Sequence, residues 1–207
     1  VILIAGGVKS GRTTTLYSLR QELAAGRAVA DVARDEYFPC VEGVDARNVS
    51  SLDADVVVVN DLDTPAVAQL AFQAAQGGRL VLASIFADDV GVAIARLVDD
   101  LGVSHHVLGA CLRAVSAQRL CRRLCSACPA GAPSADCARC KGTGYKGRLA
   151  LYEVAEVTGE LLVAVRAGET SPEALRRAAV AGGMTTLADD GARKVALGRT
   201  DAREARG

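Results

Sequence analysis

The sequence has no tryptophan, and only four tyrosines and three phenylalanines among its 207 residues. Half of the residues are hydrophobic, so a sizeable core is within reach, but it must be built from Ala, Val and Leu with few large contacts. An excess of charge is lacking too: 24 basic and 24 acidic residues cancel. That balance gives no electrostatic case for nucleic acid or an anionic membrane surface as a partner. Lysine is confined to Lys9, Lys141, Lys146 and Lys194, so arginine carries most of the positive charge, a bias we attribute to codon usage in a GC-rich genome. No apolar run approaches the ~18 residues that a bilayer-spanning helix needs. No charged-then-apolar leader pattern is visible. Val1 already lies inside an apolar run, from which we expect further sequence upstream. Internal repeats and low-complexity linkers are absent.

What is present is an alternation of apolar runs and helical patterns. Val1–Ala5 and Asp55–Asn60 read as buried parallel strands, and Arg79–Phe86 as a third. Between them, Thr13–Ala25 carries Leu16, Leu19 and Leu23 at helical spacing, and Thr64–Gln76 is an Ala-rich helix closed by Gly77 and Gly78. Asp88–Leu101 is a further helix. Ala28–Val44 reads as irregular, with apolar pieces around Tyr37–Val41. This order predicts an α/β fold, a phosphate-loop (RecA-like) parallel sheet with crossover helices. Ala114–Leu124 is Arg-rich and strand-like, Cys125–Gly147 is loop-rich, and Leu149–Val157 is a strand. Helices follow, with Ser171–Pro172 opening Glu173–Ala181 as cap and first position. Leu187–Leu197 comes next, and Thr200 is placed to cap a last turn. His105 and His106 fall at a helix junction and are assigned no chemistry. The expected organisation is a nucleotide-binding core over 1–113, a cysteine-rich insert with flanking strands over 114–157, and a C-terminal helical region over 158–207.

Residues Gly6–Thr13 read G-G-V-K-S-G-R-T, against the phosphate-loop template G-x-x-x-x-G-K-[ST] between a strand and a helix. Glycines let backbone N–H groups curl around phosphate oxygens, and the helix N-terminus adds positive potential. The expected nucleotide-binding residues are Gly6, Gly7, Lys9, Ser10, Gly11, Arg12, Thr13 and Thr14, with Thr13 as a Mg²⁺ ligand. Arg12 departs from the template: its planar fork keeps the charge but cannot occupy the point that an ammonium takes between phosphates. Lys9 is a substitute donor of charge. The alternative is a strand-to-helix turn that merely uses glycine. Asp61 and Asp63 follow the second strand, where an acid would hold Mg²⁺ or orient water; solvated loop carboxylates are the alternative there.

Cys125-x-x-Cys128 and Cys137-x-x-Cys140 lie eight residues apart. Two such knuckles can present four thiolates tetrahedrally to Zn²⁺, with every position filled by protein, so the metal would be structural. Unligated cysteines are the alternative. The spacing reads as metal binding before disulfides, which points to the reducing cytosol. Cys40, Cys111 and Cys121 read as packed or surface thiols.

Several stretches taken in order resemble a known family: G-G-V-K-S-G-R-T-T-T-L-Y (6–17), D-A-D-V-V-V-V-N-D-L (53–62), G-G-R-L-V-L-A-S (77–84), A-Q-R-L-C-R-R-L-C-S-A-C (117–128), C-A-R-C-K-G-T-G-Y-K-G-R-L-A-L-Y-E-V (137–154) and G-M-T-T-L-A-D-D-G (183–191). Together they resemble the secretion ATPases of the type II secretion and type IV pilus assembly family. The resemblance implies ATP with Mg²⁺ and Zn²⁺ as cofactors. It also implies a homo-hexamer or a mixed ring with a paralogue, an inner-membrane platform protein as partner, and a cytoplasmic place peripheral to the inner membrane. The departures from the family pattern are concentrated in catalysis. The loop Lys is Arg12, and the catalytic Glu is Asp61. The Asp-box falls at Asp31–Arg34 with Val32 and Ala33 in place of acids, followed by Glu36–Tyr37. Two box histidines align with Arg79 and Phe86, and an Arg aligns with Asp63. The expectation is a motor domain that binds ATP with weakened hydrolysis. The alternatives are an inactive structural or regulatory ring subunit, or a zinc ribbon binding nucleic acid through Arg119, Arg122, Arg123, Arg139, Lys141, Lys146 and Arg148. No aromatic stacking platform accompanies those charges, so no nucleic acid is expected.

Overall fold

The structure is a computed structural model that describes residues 1–23, 25–32, 54–128 and 133–206. Its centre is β1 (Ile2–Gly6), which pairs in parallel with β4 (Leu80–Phe86) on one side and with β5 (Ala114–Leu124) on the other. Beyond β4 come β3 (Val56–Val59) and β2 (Val29–Val32), both parallel. Beyond β5 comes β6 (Tyr145–Glu156), antiparallel, giving the order β2-β3-β4-β1-β5-β6. The phosphate-loop sheet expected from the alternation is therefore present, and β5 and β6 extend it rather than standing apart from it.

Alternation along each inner strand sends neighbours to opposite faces. Leu3, Ala5, Val57, Val59, Val81, Ala83, Ile85, Val115 and Ala117 enter the larger core. That side is covered by α2 (Pro65–Gln76), α3 (Val90–Asp99), α4 (His105–Cys111), α5 (Gly159–Arg166) and α6 (Pro172–Ala181). Ile4, Val56, Val58 and Leu82 face the other way and pack on Leu16 of α1 (Arg12–Leu23). The shortage of aromatics is met by close approach. Small residues line the contacts: Ala68, Ala71 and Ala74 of α2 are buried, and Gly91 of α3 lies directly on the Pro172 backbone. Phe72 is the one aromatic among the largest fully buried side chains of the described residues.

The helix starts follow their caps. Thr64 accepts from the Val67 N–H ahead of Pro65, Asp89 accepts from Val92 at 2.8 Å, and Ser171 accepts from Ala174 ahead of Pro172. Helix α7 (Leu187–Ala196) opens with a reciprocal pair between Thr186 and Asp189. Helix α8 (Ala202–Arg206) departs from expectation. Its N–H groups from Arg203 and Glu204 go to Asp201 Oδ1, while Thr200 is buried and donates to the Arg122 carbonyl at 2.8 Å.

Two further expectations change. Within the stretch read as irregular, Val29–Val32 is a strand. Its apolar run is broken by Asp31, which is buried and neutralised by Arg20 of α1 at 2.8 Å, and its order comes from pairing with β3, a partner distant in sequence. β6 starts at Tyr145, earlier than Leu149, and Gly147 adopts a left-handed φ of 80° within it. Ala33, Arg34, Glu36, Tyr37, the apolar pieces up to Val41, and Cys40 lie outside the described residues.

Candidate functional site

β1 ends between β4 and β5, and the glycine-rich loop leaves it at the carboxyl edge of the sheet, the edge where open parallel sheets bind ligands. Gly6 has no room for a side chain, since a Cβ there would stand 2.7 Å from the Gln118 carbonyl oxygen. The chain then turns tightly, with Ser10 N–H donating to the Gly7 carbonyl at 3.3 Å. Lys9 (φ 59°) and Gly11 (φ 89°) take left-handed conformations, and Thr15 N–H bonds to Gly11 to start α1. No acid sits in the first turn of α1, so the helix field at the loop is unopposed. Thr13 is half-buried and Thr14 exposed on that turn.

Arg12 turns toward the ends of β3 and β4. Its guanidinium lies 3.4 Å from the Asp61 carboxylate and 5.6 Å from the centre of the Phe86 ring. Arg12 is 15% exposed and Asp61 44%. Burial draws the Arg12 guanidinium below its ordinary pKa, with Asp61 opposing that and Arg96 adding to it. Asp61 itself is a non-glycine residue at φ 73°, held there because its N–H donates to Ser84 Oγ at 3.0 Å and the next N–H, of Leu62, donates to the Ser84 carbonyl at 2.7 Å. The structure thus brings together the loop, Arg12 and Asp61, as well as Phe86. Arg79 sits at the opposite end of β4, where its Nε donates to the Ala54 carbonyl, so it is remote from the loop. Val32 is an ordinary packed residue of β2. Lys9 is exposed at the loop tip, on the side away from Asp61 where a cavity opens.

That cavity, of about 990 Å³, runs from Gly7–Ser10 back to α7 and α8. Leu120, Leu187, Ala192 and Val195 supply its apolar wall, and Arg119 and Arg206 also line it. Two of its residues were not singled out from the sequence. Asp88 stands beside Gly7. Gln118 of β5, 2% exposed, donates its side-chain amide to the Ser10 carbonyl at 2.9 Å from beneath the loop. Gln118 Oε1 and Ser10 Oγ are buried and unpartnered among the described residues. Nothing local marked Gln118, which stands between Ala117 and Arg119 in an Arg-rich stretch.

The four cysteines of the two knuckles converge. Their sulfurs lie within 4.8 Å of one another, with Cys125 and Cys137 at 3.9 Å and Cys128 and Cys140 at 3.6 Å. A tetrahedral ion with bonds of about 2.3 Å needs sulfurs about 3.8 Å apart, so this soft donor set could hold Zn²⁺. The thiols share protons unevenly. Cys137, which accepts from the backbone of Cys140 and Arg139, is held down to about 6. Cys128 is pushed up to about 12: the Ser134 backbone works against this, but hydrogen bonding to Cys137, desolvation, and the Cys140 and Cys125 thiols outweigh it. Lys141 (φ 53°) and Gly142 (φ 80°) make the turn that follows the second knuckle. The cluster is moored from both sides. Cys125 N–H donates to Gly144, Arg122 pairs with Glu204 at 2.7 Å and lies over the Tyr145 ring, and Tyr145 bonds to Asp201.

Comparisons with known proteins agree with this architecture. Residues 45–207 match the family model described as type II/IV secretion system protein. The chain is 31% identical over 223 residues to the type II secretion system protein HxcR of Pseudomonas aeruginosa, covering 99% of the chain and 47% of that protein. It is 29% identical to the type IV pilus assembly ATPase PilB of Thermus thermophilus, covering 99% of the chain and 27% of that protein. The chain thus spans about half or less of the length of these relatives. Among solved structures, the pilus retraction motor PilT with bound ADP superposes with a TM-score of 0.72 at 18% identity, over 99% of the chain and 59% of PilT. The ATPase DotB of Legionella pneumophila superposes with a TM-score of 0.70 at 18% identity, over 99% of the chain and 58% of DotB. These two likenesses establish the shared fold. With the family model matched over most of its length, the chain belongs to the type II/IV secretion system protein family.

Proposed function

We propose that this chain is the nucleotide-binding motor domain of a secretion or pilus-assembly ATPase, one that binds ATP and hydrolyses it far more slowly than an unaltered family member. The observation that carries the reading is the Arg12–Asp61 ion pair. Phosphoryl transfer depends on cations and a water-orienting acid placed around the β- and γ-phosphates. Here the cation next to the loop and the acid at the end of β3 neutralise each other. Bound nucleotide would be held by the backbone N–H groups of the loop, with Mg²⁺ drawn to Thr13 and Asp61. The divalent ion would supply charge neutralisation, but Asp61 is already committed. Losing one well-placed electrostatic contact costs about 10²–10³ in rate. Val32 and Ala33, which replace acids in the Asp-box, remove further charge, and such losses do not add independently.

Cys125, Cys128, Cys137 and Cys140 hold structural Zn²⁺ in this reading, within an insert of residues 114–157 between the core of residues 1–113 and the helices of 158–207. The chain works in a hexameric or mixed ring, on the cytoplasmic side of an inner membrane, against a platform protein. No helix among the described residues is long and apolar enough to cross a membrane, which accords with that placement. An inactive structural or regulatory subunit of the same ring is the second reading, favoured by the same ion pair. Nucleic-acid binding through the arginines near the cysteines is disfavoured because Arg122 is engaged by Glu204 and Tyr145, and Arg119 by the Ala205 carbonyl.

The test is steady-state phosphate release by the full-length protein with Mg²⁺, beside Arg12→Lys and Arg12→Lys/Asp61→Glu. Low turnover that rises in the double variant supports weakened hydrolysis. Turnover typical of the family in the unaltered protein ends it. Low turnover in all three favours the structural subunit.

A further inference from the structure

The two flanks of the loop differ in kind. On the β5 side lies the cavity of about 990 Å³, at the upper end of the volumes that enclose whole cofactor-sized molecules. Loop backbone lines it together with the apolar side chains of Leu120, which lies against Gly11, and of Leu187 and Val195. Ser10 Oγ, buried without a partner, sits against Gly6 inside the loop, an unmet hydrogen bond of the kind an anion's oxygen satisfies. On the β4 side the loop runs into Arg12, whose guanidinium is closed in by Asp61 at 3.4 Å and by the Phe86 ring at 5.6 Å. These three groups come from three elements, at the start of α1, the end of β3 and the end of β4. The β4 flank of the loop is therefore occupied by side chains that already satisfy one another.

We infer that this site takes a nucleoside diphosphate without a divalent cation in preference to a Mg²⁺-bound nucleoside triphosphate. The inference rests on the nucleotide reading above and adds the phosphorylation state of the ligand. Loop N–H groups and the α1 N-terminus hold two phosphates, the cavity takes base and sugar, and the Arg12–Asp61 pair stays intact beside Phe86. A third phosphate meets the Asp61 carboxylate and must pull Arg12 from both contacts. A diphosphate disturbs neither, so it has no need of a metal to offset Asp61. Arginine suits this place, because its flat fork bonds a carboxylate and lies over a ring at the same time.

The experiment uses full-length protein and ribose-labelled fluorescent ADP and ATP, titrated with excess Mg²⁺ or with Mg²⁺ simply omitted. Omission, rather than chelation, leaves the cysteine cluster undisturbed. The expected result is an ADP Kd that changes less than about twofold with Mg²⁺, and ATP binding weaker by about tenfold or more. Asp61→Ala, or Asp61→Asn if the first variant does not fold, should raise ATP affinity more than ADP affinity and so narrow the gap between the two. Tighter binding of ATP with Mg²⁺ overturns the diphosphate preference and leaves slow hydrolysis standing. Absence of binding by either nucleotide overturns both.

Discussion

The Glu153 carboxylate of β6, 1% exposed, accepts the N–H of Val90, the first residue of α3, at 2.7 Å. Its other oxygen accepts the N–H of Leu187, the first residue of α7, at 3.3 Å, and stands 3.7 Å from Arg176 of α6. One buried acid thus serves two helix N-termini, and it ties the strand that flanks the cysteines to the helix that walls the cavity. Burial raises the pKa of Glu153 above the ordinary carboxylate value, with the Val90 and Leu187 N–H groups and Arg176 working the other way and Asp89 adding slightly. A carboxyl that binds its proton more tightly folded than unfolded favours folding most at low pH, and that contribution fades as pH rises through the raised folded value. The stability of the unaltered protein relative to Glu153→Gln should therefore decline from below pH about 4.5 toward neutrality. Denaturant titrations of both proteins across that range check it, and a difference that grows with pH would refute it.

Asp190 behaves in the opposite sense. It is buried on α7, and accepts from Tyr152 N–H at 2.9 Å, from Arg193 at 2.7 Å and from Lys194, whose ammonium also reaches the Ala150 carbonyl. Burial works to raise its pKa, but these donors prevail and hold it below the ordinary value. Its contribution is present above the unfolded value near 3.8 and is lost as pH falls through the folded one. Asp190→Asn should cost about 1.5–3 kcal/mol at pH 7, the worth of hydrogen bonds to a charged group. The penalty should shrink in acid, as read by chemical denaturation at both pH values.

Gly91→Ala should fail for a steric reason. A Cβ on α3 would stand 2.9 Å from the Pro172 carbonyl carbon and closer still to its oxygen, and backbone cannot swing aside as a side chain can. Overpacking of this kind costs about 1–3 kcal/mol. The midpoint of thermal unfolding should drop accordingly, whereas Gly102→Ala, with open space around it but a φ of 66°, should show only the smaller strain of a left-handed residue.

Metal analysis of protein purified without added zinc should find about one Zn²⁺ per chain, as a closed four-thiolate site requires. Cys128→Ser should abolish it. Because metal binding contributes local folding energy, hydrogen exchange in that variant should rise first over residues 133–147, while the strands β1, β3 and β4 stay protected. Retention of metal-free order in that stretch would count against the site.

The sequence disclosed the parallel core because its strands are short, bare apolar runs: nothing but a buried strand suits Val56–Val59 between polar ends. The loop and knuckles were legible because glycine and cysteine spacings are local. What escaped was everything that depends on distant partners. Val29–Val32 was hidden by Asp31, whose neutralising Arg20 sits on another element. Gln118 could not be tied to the loop until β5 was known to lie beside β1, more than a hundred residues away in sequence. The apolar wall of the cavity is built from Leu120 of β5 and from Leu187, Ala192 and Val195 of α7, none of which carries chemistry of its own. Even the degenerate residues were legible only as substitutions. That Arg12 and Asp61 now meet is a fact of folding.

β5 carries Gln118 under the phosphate loop and ends at Leu124, next to Cys125. At ~3.3 Å per residue the strand separates loop from cysteines by roughly 20 Å. Its pairing with β6 keeps one register from Ala114 to Arg122 and slips only between Arg122 and Leu124. One continuous strand thus sets the spacing of the loop from the cluster, and the irregularity in its pairing falls at the cysteine end, where Arg122 is held by Glu204 and the Tyr145 ring.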